Sequence, residues 1–197
     1  LNSAGLNQDY QNRFVTRHEF AMPFQLGSVQ IAPFASIQAQ WGIDNEEIAG
    51  AETNDWTRTV GVRATTQFQR IYNSVDNDLL DLHRLRHVIE PYLTVWNGDS
   101  NVDPMSSPQY DAQLDNIANG TALWLGRKNK LQTWRGGPGR WYEVEWLTLD
   151  TAFMFASNDA THRYDNPQLF NWRPEYSSLQ DAFIANGKWQ YSDSIAF

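Results

Sequence analysis

The chain contains no cysteine, and this absence excludes several kinds of site at once. Among its 197 residues there is no thiol nucleophile, no disulfide framework and no zinc–thiolate or iron–sulfur centre. It also has no apolar run near ~18 residues, which excludes a transmembrane helix within this stretch. A membrane is not excluded, because strands that alternate apolar and polar residues cross a bilayer while remaining hydrophilic on average.

Basic residues are also few. Lys and Arg total 15 against 23 Asp and Glu, a formal charge of -8, whereas a general nucleic-acid binder needs a basic surface to neutralise phosphates. What the chain has instead is aromatic residues: nine Trp, eight Tyr and ten Phe. Such a composition suits a surface that meets sugars or a membrane interface, and the less favoured alternative is an all-β domain with a Trp-rich core.

Alternation of apolar and polar residues predicts about eight strands and no helix. The clearest case places Val60, Val62 and Phe68 on one face. Pro33 predicts an edge or a bulge in its strand. The predicted strands are 14–22, 28–41, 59–69, 84–96, 123–132, 141–156, 170–179 and 188–197. Several match the ~9–11 residues that cross a bilayer with tilt, so the pattern favours an antiparallel outer-membrane β-barrel over a compact sandwich.

Two further features favour a barrel, although solvent-facing charges and turn-flanking aromatics of a soluble sheet would give the same pattern. Charges at strand centres would be costly in a dry interior but not in a wet lumen; they are Arg63, Arg127, Lys128 and Asp150. Aromatic residues near predicted strand ends match the girdles of membrane barrels; they are Trp56, Tyr72, Trp96, Trp134, Trp141 and Tyr142.

No combination of residues identifies an enzyme, a cofactor site or a metal centre. His83 and His87 have a spacing that places both on one face of a strand, but no carboxylate motif completes a metal site. Glu143 and Glu145 share a strand face. They could form the carboxylate pair of a glycosidase, but a solvated surface is the preferred interpretation. We therefore expect no catalytic residue and no cofactor.

The segment Arg84–Pro91, the loop Pro108–Asp111 and the strand Gly126–Thr133 follow one another in an order and spacing that resemble the barrel domain of the LptD family of lipopolysaccharide-assembly proteins. That family has an H-x-I-x-P-like strand end, a P-Q-F/Y-D loop and an N-R/K-L-Q-T strand. The residues that match its motifs are His87, Glu90, Pro91, Pro108, Asp111, Asn129, Leu131 and Gln132.

The resemblance implies a bacterial outer-membrane β-barrel that inserts lipopolysaccharide into the outer leaflet. It implies an LptE-like lipoprotein plug and a periplasmic Lpt bridge as partners, with no enzymatic activity. Residues 1–197 would then be part of the transmembrane barrel domain, about eight strands of a larger ring, with the periplasmic domain and the remaining strands outside this sequence. The family's enterobacterial disulfides cannot form here because cysteine is absent.

Within that interpretation, cations lining the lumen are the candidates for contact with the phosphates of lipid A, because cations pair with phosphate. They are Arg63, Arg127, Lys128 and Lys130. The alternative, from another class of protein, is a soluble extracellular β-sandwich that binds glycans through exposed indole rings of Trp124, Trp141 and Trp146.

Overall fold

The computed structural model describes residues 12–43, 54–101, 119–137, 139–160 and 179–196. Each of the strands in these ranges runs antiparallel to its neighbours. They are β1 (Asn12–Ala21), β2 (Phe24–Leu26), β3 (Val29–Ile43), β4 (Asn54–Thr66), β5 (Phe68–Asn77), β6 (Leu82–Ser100), β7 (Gly120–Arg135), β8 (Tyr142–Ala156) and β9 (Ala182–Trp189). The predicted all-β antiparallel fold is confirmed.

All nine strands belong to one sheet, in the order β1, β3, β4, β6, β7, β8, β9. Strand β2 pairs with β3 beside β1, and β5 pairs with β6 beside β4, so the sheet has seven strand positions. No pairing joins β1 to β9 among the described residues, and the sheet is therefore open there. No helix in the described ranges is long and apolar enough to cross a membrane.

Two prolines explain why two of these seven positions are interrupted. Pro33 faces the break between β1 and β2, and Pro91 faces the break between β4 and β5. Proline has no N–H to donate to the neighbouring strand, while the register on the two sides of each break is continuous. The strand that contains Pro33 is paired on both sides, so the predicted edge position is wrong. The proline interrupts the pairing of the neighbouring strand instead.

The C-terminal region differs from the prediction. The strand expected at 188–197 is wrong: β9 spans Ala182–Trp189, because these residues pair with β8, and the chain beyond it forms bends with one isolated bridge. The strand expected at 170–179 lies mostly outside the described residues, and Leu179 itself is not in a strand.

The connections are short at one end of the sheet and long at the other. The segments 27–28, 78–81 and 136–141 join strands at what we call the turn end, and 44–53, 101–119 and 157–181 join them at the loop end. The glycine-rich turn predicted at 135–140 is confirmed, with positive φ at Gly136 and Gly139.

Candidate functional site: the two faces of the sheet

Residues that pair across neighbouring strands share a face, so the register assigns every strand residue to one of two faces. The face that carries Val60, Leu125 and Phe153 is called the apolar face. The face that carries Arg63, Lys128 and Asp150 is called the polar face. This assignment confirms the alternation predicted for Val60, Val62 and Phe68.

Large apolar side chains cover the apolar face and remain uncovered. At least a third of the surface of each is exposed in this chain; these residues are Phe14, Phe20, Ile37, Trp41, Val60, Val62, Phe68, Tyr72, Val95, Leu125, Leu149, Phe153, Phe155 and Phe183. Several of the rings touch one another along the surface, as Phe153 does with Phe183 at 4.9 Å between centroids. Exposed apolar areas of this kind are found where proteins meet membranes, other proteins or ligands.

The polar face, in contrast, contains the packed core. Phe34, Trp96, Trp124 and Met154 lie there near the loop end, and Leu179 packs onto them. Gly61 makes this packing possible, because a Cβ at that position would lie 2.5 Å from the Val95 backbone oxygen and 2.6 Å from the Phe34 ring. The loop end of the polar face is therefore filled with side chains.

Polar groups on the same face make two separate sets of contacts toward the middle of the strands. The Tyr92 hydroxyl donates a hydrogen bond to Asp150 at 2.8 Å and accepts one from the Trp124 indole at 3.4 Å. Lys130 forms an ion pair with Glu90 at 3.1 Å. Half-buried charges are tolerated when each has such a partner.

Three of the four predicted lumenal cations do share the polar face, and one does not. Arg63 stacks over the Phe34 ring at 3.8 Å, Lys130 is paired with Glu90, and Lys128 lies between them in register with Asp150. Arg127 projects from the opposite face, between Leu125 and Asn129. Its grouping with the other three is wrong, because neighbouring strand residues alternate in direction.

The family-motif residues come together across β6 and β7. Asn129 faces Ile89, Leu131 faces His87, and Gln132 faces Arg86, so two motifs separated along the chain are hydrogen-bonded neighbours. Glu90 and Gln132 lie on the polar face, and Pro91 lies opposite Arg127 on the apolar face. Pro108 and Asp111 lie outside the described residues.

The expectation that His83 and His87 share a face is wrong. A register shift lies between His83 and Arg86, and Arg84 has φ 57°, so His83 pairs with Trp134 and His87 with Leu131 on opposite faces. The His83 ring contacts Asp76 at 2.5 Å and Asp81 at 3.3 Å.

Glu143 and Glu145 do share a face, as predicted, and the Arg86 guanidinium lies 3.5 Å from the Glu143 carboxylate.

Two of the aromatic residues predicted near strand ends do not lie where a membrane girdle would place them. Trp96 is only 2% exposed and belongs to the core, so it cannot be part of an interfacial girdle. Trp134 lies on the polar face, in register with Glu143.

The alternative glycan-binding surface of Trp124, Trp141 and Trp146 is not formed. Trp124 is buried in the core, Trp146 packs edge-on against Trp189, and Trp141 alone is exposed. Nor does a second sheet cover the first in the described part of the chain, as a sandwich requires.

A buried arginine fixes the segment that follows β9. Arg135 is 1% exposed and donates to the carbonyl oxygens of Gln190 and Tyr191, both at 2.8 Å, and to Asp193 at 3.2 Å. The Tyr142 hydroxyl donates to the same carboxylate, and these two donors hold the pKa of Asp193 below its usual range, the Tyr142 hydrogen bond contributing most. Residues 190–196 are called the C-terminal tail below.

No protein-family model, curated protein or solved structure matches this chain.

Proposed function

We propose that this chain forms part of the wall of an outer-membrane β-barrel of the LptD type, with its apolar face toward lipid and its polar face toward the lumen. One observation carries the proposal: the face of large apolar side chains is the exposed one, while the face that carries the charged residues contains the buried core. Phe20 and Val60 are 69% and 58% exposed, while the polar-face residues Thr59 and Thr94 are buried. Water on the apolar face would make this arrangement unfavourable, and lipid makes it favourable.

Strand length and connection length support the same proposal. Five strands have 13 to 19 residues, β6 being the longest, which exceeds the ~9–11 residues needed to cross the hydrocarbon layer with tilt. Membrane barrels have short turns on the periplasmic side and long loops outside. The turn end would accordingly face the periplasm and the loop end the exterior.

Among the described residues, the sheet is open at β1 and β9. Unpaired edge groups cannot remain in lipid, where no water satisfies them. We infer that further strands of a longer chain complete the ring, as an LptD barrel would require. Lipopolysaccharide and outer-membrane lipids are then the ligands, and an LptE-like plug and the periplasmic Lpt bridge are the partners.

The placement in a membrane is tested by cysteine labelling, for which the absence of native cysteine provides a clean background. Single cysteines replace Val60, Val62 or Leu125 on the apolar face, and Gln30 or Thr65, which are exposed on the polar face. In vesicles, a water-soluble maleimide should modify only the polar-face cysteines, whereas in urea it should modify all five. Equal labelling of both faces in vesicles would refute the proposal.

Transport of lipopolysaccharide requires a separate test in the parent protein. Lys128 makes no hydrogen bond or ion pair to any described residue, and Arg63 lies on the same face. Replacing both by Gln should slow export of lipopolysaccharide to the cell surface. Arg127→Gln is the matched control, since it removes one cation from the opposite face; unchanged export in the double variant would remove the lumenal contact from the proposal.

A further inference from the structure

A groove opens at the turn end of the sheet where both strands of the β5–β6 hairpin depart from regular pairing. The register shifts between Tyr72 and Asp76 on β5, and between His83 and Arg86 on β6. The residues expelled by the first shift, 73–75, line a cavity of about 540 Å³. Its other walls are Asp76, His83, Arg84, Trp134 and Trp141.

A second, smaller cavity of about 180 Å³ adjoins the first. Arg84 and Trp134 line both, so that the two form one groove that continues past Arg86, Gln132 and Glu143. Arg84 is held at φ 57°, a conformation that costs a residue with a side chain on the order of 1–3 kcal/mol. Paired bulges and a strained residue are features that proteins retain at binding sites, where they redirect side chains.

Two indole rings are exposed in this groove. Trp134 is 37% exposed and Trp141 40%. Each ring has a packing partner: the Arg84 guanidinium lies 5.5 Å from the centroid of Trp134, and the His83 ring, which contacts Asp76, packs edge-on against Trp141 with 5.0 Å between centroids. Trp134 belongs to the polar face, so its exposure is not explained by contact with lipid.

We propose that this groove binds a neutral saccharide. The C–H groups on one face of a pyranose ring stack on an indole, and its hydroxyls hydrogen-bond to planar or short polar side chains, which Asn73, Ser74 and Asp76 provide here. A cavity of this size is within the range of small-ligand sites. Indole side chains have only two rotatable bonds, which keeps the entropy cost of binding low.

The charges in the groove favour a neutral ligand over a phosphate. Arg86 is engaged by Gln69 at 2.6 Å and lies 3.5 Å from Glu143, and His83 is flanked by two carboxylates. Arg86 and His83 therefore have anionic or polar neighbours, and an added phosphate would meet Asp76 and Glu143 as well as Arg84. The inference does not depend on the membrane proposal, because the groove lies within one hairpin and its neighbouring strands.

The test is calorimetric titration of the whole chain, in a zwitterionic micelle without a sugar headgroup or in buffer if the chain folds there. The probes are an N-acetylglucosamine trisaccharide, maltotriose and inorganic phosphate. We expect one of the sugars to bind and phosphate not to bind. Trp134→Ala or Trp141→Ala should weaken sugar binding by about tenfold or more, while Trp141→Phe, which keeps a ring, should retain most of it.

Trp41→Ala is the matched control, since Trp41 is equally exposed, at 41%, but lies on the apolar face. Circular dichroism of each variant confirms that it is folded before titration. The proposal is overturned if the folded chain binds neither sugar, if phosphate binds in place of sugar, or if Trp41→Ala weakens binding as much as the groove variants do.

Discussion

Replacing Phe153 by alanine and by lysine gives a test in which the two environments of the apolar face predict opposite orders of stability. The Phe153 ring is half exposed, and its centroid lies 4.9 Å from that of Phe183 and 6.3 Å from that of Phe155. Both substitutions remove these ring contacts, which are worth about 0.5–1.5 kcal/mol each. The difference between the two variants therefore reports what lies outside the sheet.

If lipid lies there, the lysine variant is the less stable, because a Lys on the lipid face near mid-membrane costs about 2–4 kcal/mol. If water lies there, lysine is at least as stable as alanine, since its methylene stem covers the neighbouring rings while the ammonium group stays hydrated. Loss of the exposed half of the Phe ring adds about 2.5 kcal/mol to both losses in lipid, from ~100 Å² at about 25 cal/mol/Å², and nothing in water.

The assay is urea unfolding of the chain in phosphatidylcholine vesicles, followed by tryptophan fluorescence, with the free energy of unfolding taken from midpoint and slope. Thr65→Ala and Thr65→Lys are the matched pair on the polar face, where Thr65 is exposed, and they should differ by no more than about 0.5 kcal/mol. The reasoning is refuted if Phe153→Lys is as stable as Phe153→Ala in vesicles.

Three further predictions concern packing and the C-terminal tail. Gly61→Ala should lower the free energy of unfolding by about 1–3 kcal/mol through overpacking. Gly187→Ala should leave the urea midpoint nearly unchanged, because a Cβ there would lie 3.9 Å from its nearest neighbour, the Thr148 carbonyl oxygen. Arg135→Ala should lower the free energy of unfolding by about 2–3 kcal/mol, because charged hydrogen bonds to two carbonyls are lost. Trypsin cleavage and hydrogen exchange should show that the tail is released, and an unaltered exchange rate in the tail would contradict this role of Arg135. The pKa of Asp193 is lowered by its hydrogen bond from Tyr142 and by Arg135, so its stabilising contribution is complete above the unfolded value of about 3.9 and is lost as the pH falls through the lower folded value. The protection factors of the tail amides, which correct each exchange rate for its intrinsic pH dependence, should therefore fall on acidification below about pH 4 in the parent chain and not in Asp193→Asn; an equal fall in both would exclude this carboxylate.

Much of the strand pattern was predictable because side-chain direction alternates with period two. The long strands and the shared face of Val60 and Val62 follow from that alternation, and the glycine-rich turn follows from its composition. The same rule separates Arg127 from Lys128, and grouping the two by charge rather than by parity produced an error that the sequence itself could have prevented.

Other features depended on contacts between distant segments. The shift between His83 and Arg86 arises where β6 meets both β5 and β7, and it reverses the direction of His83 relative to the regular alternation. The groove beside Trp134 follows from the same two shifts, and no local signal at 73–75 or at Arg84 identifies it. Trp96 and Trp124 lie in the core, although the sequence predicts an interfacial position for the first and a surface position for the second, because aromatic composition does not distinguish a core ring from an exposed one.

The sequence by itself determined the all-β class, the two-faced strands and the absence of thiol chemistry, since these depend on residue type and on a period of two along the chain. Tertiary structure decided which face is buried, because burial depends on what packs above a strand. Here Leu179 and the rings around Trp96 fill the polar face, and the described chain leaves Val60, Phe153 and Phe183 uncovered on the other. Strand register decided the direction of His83, because the shift between His83 and Arg86 turns this side chain to the other face without any change in composition.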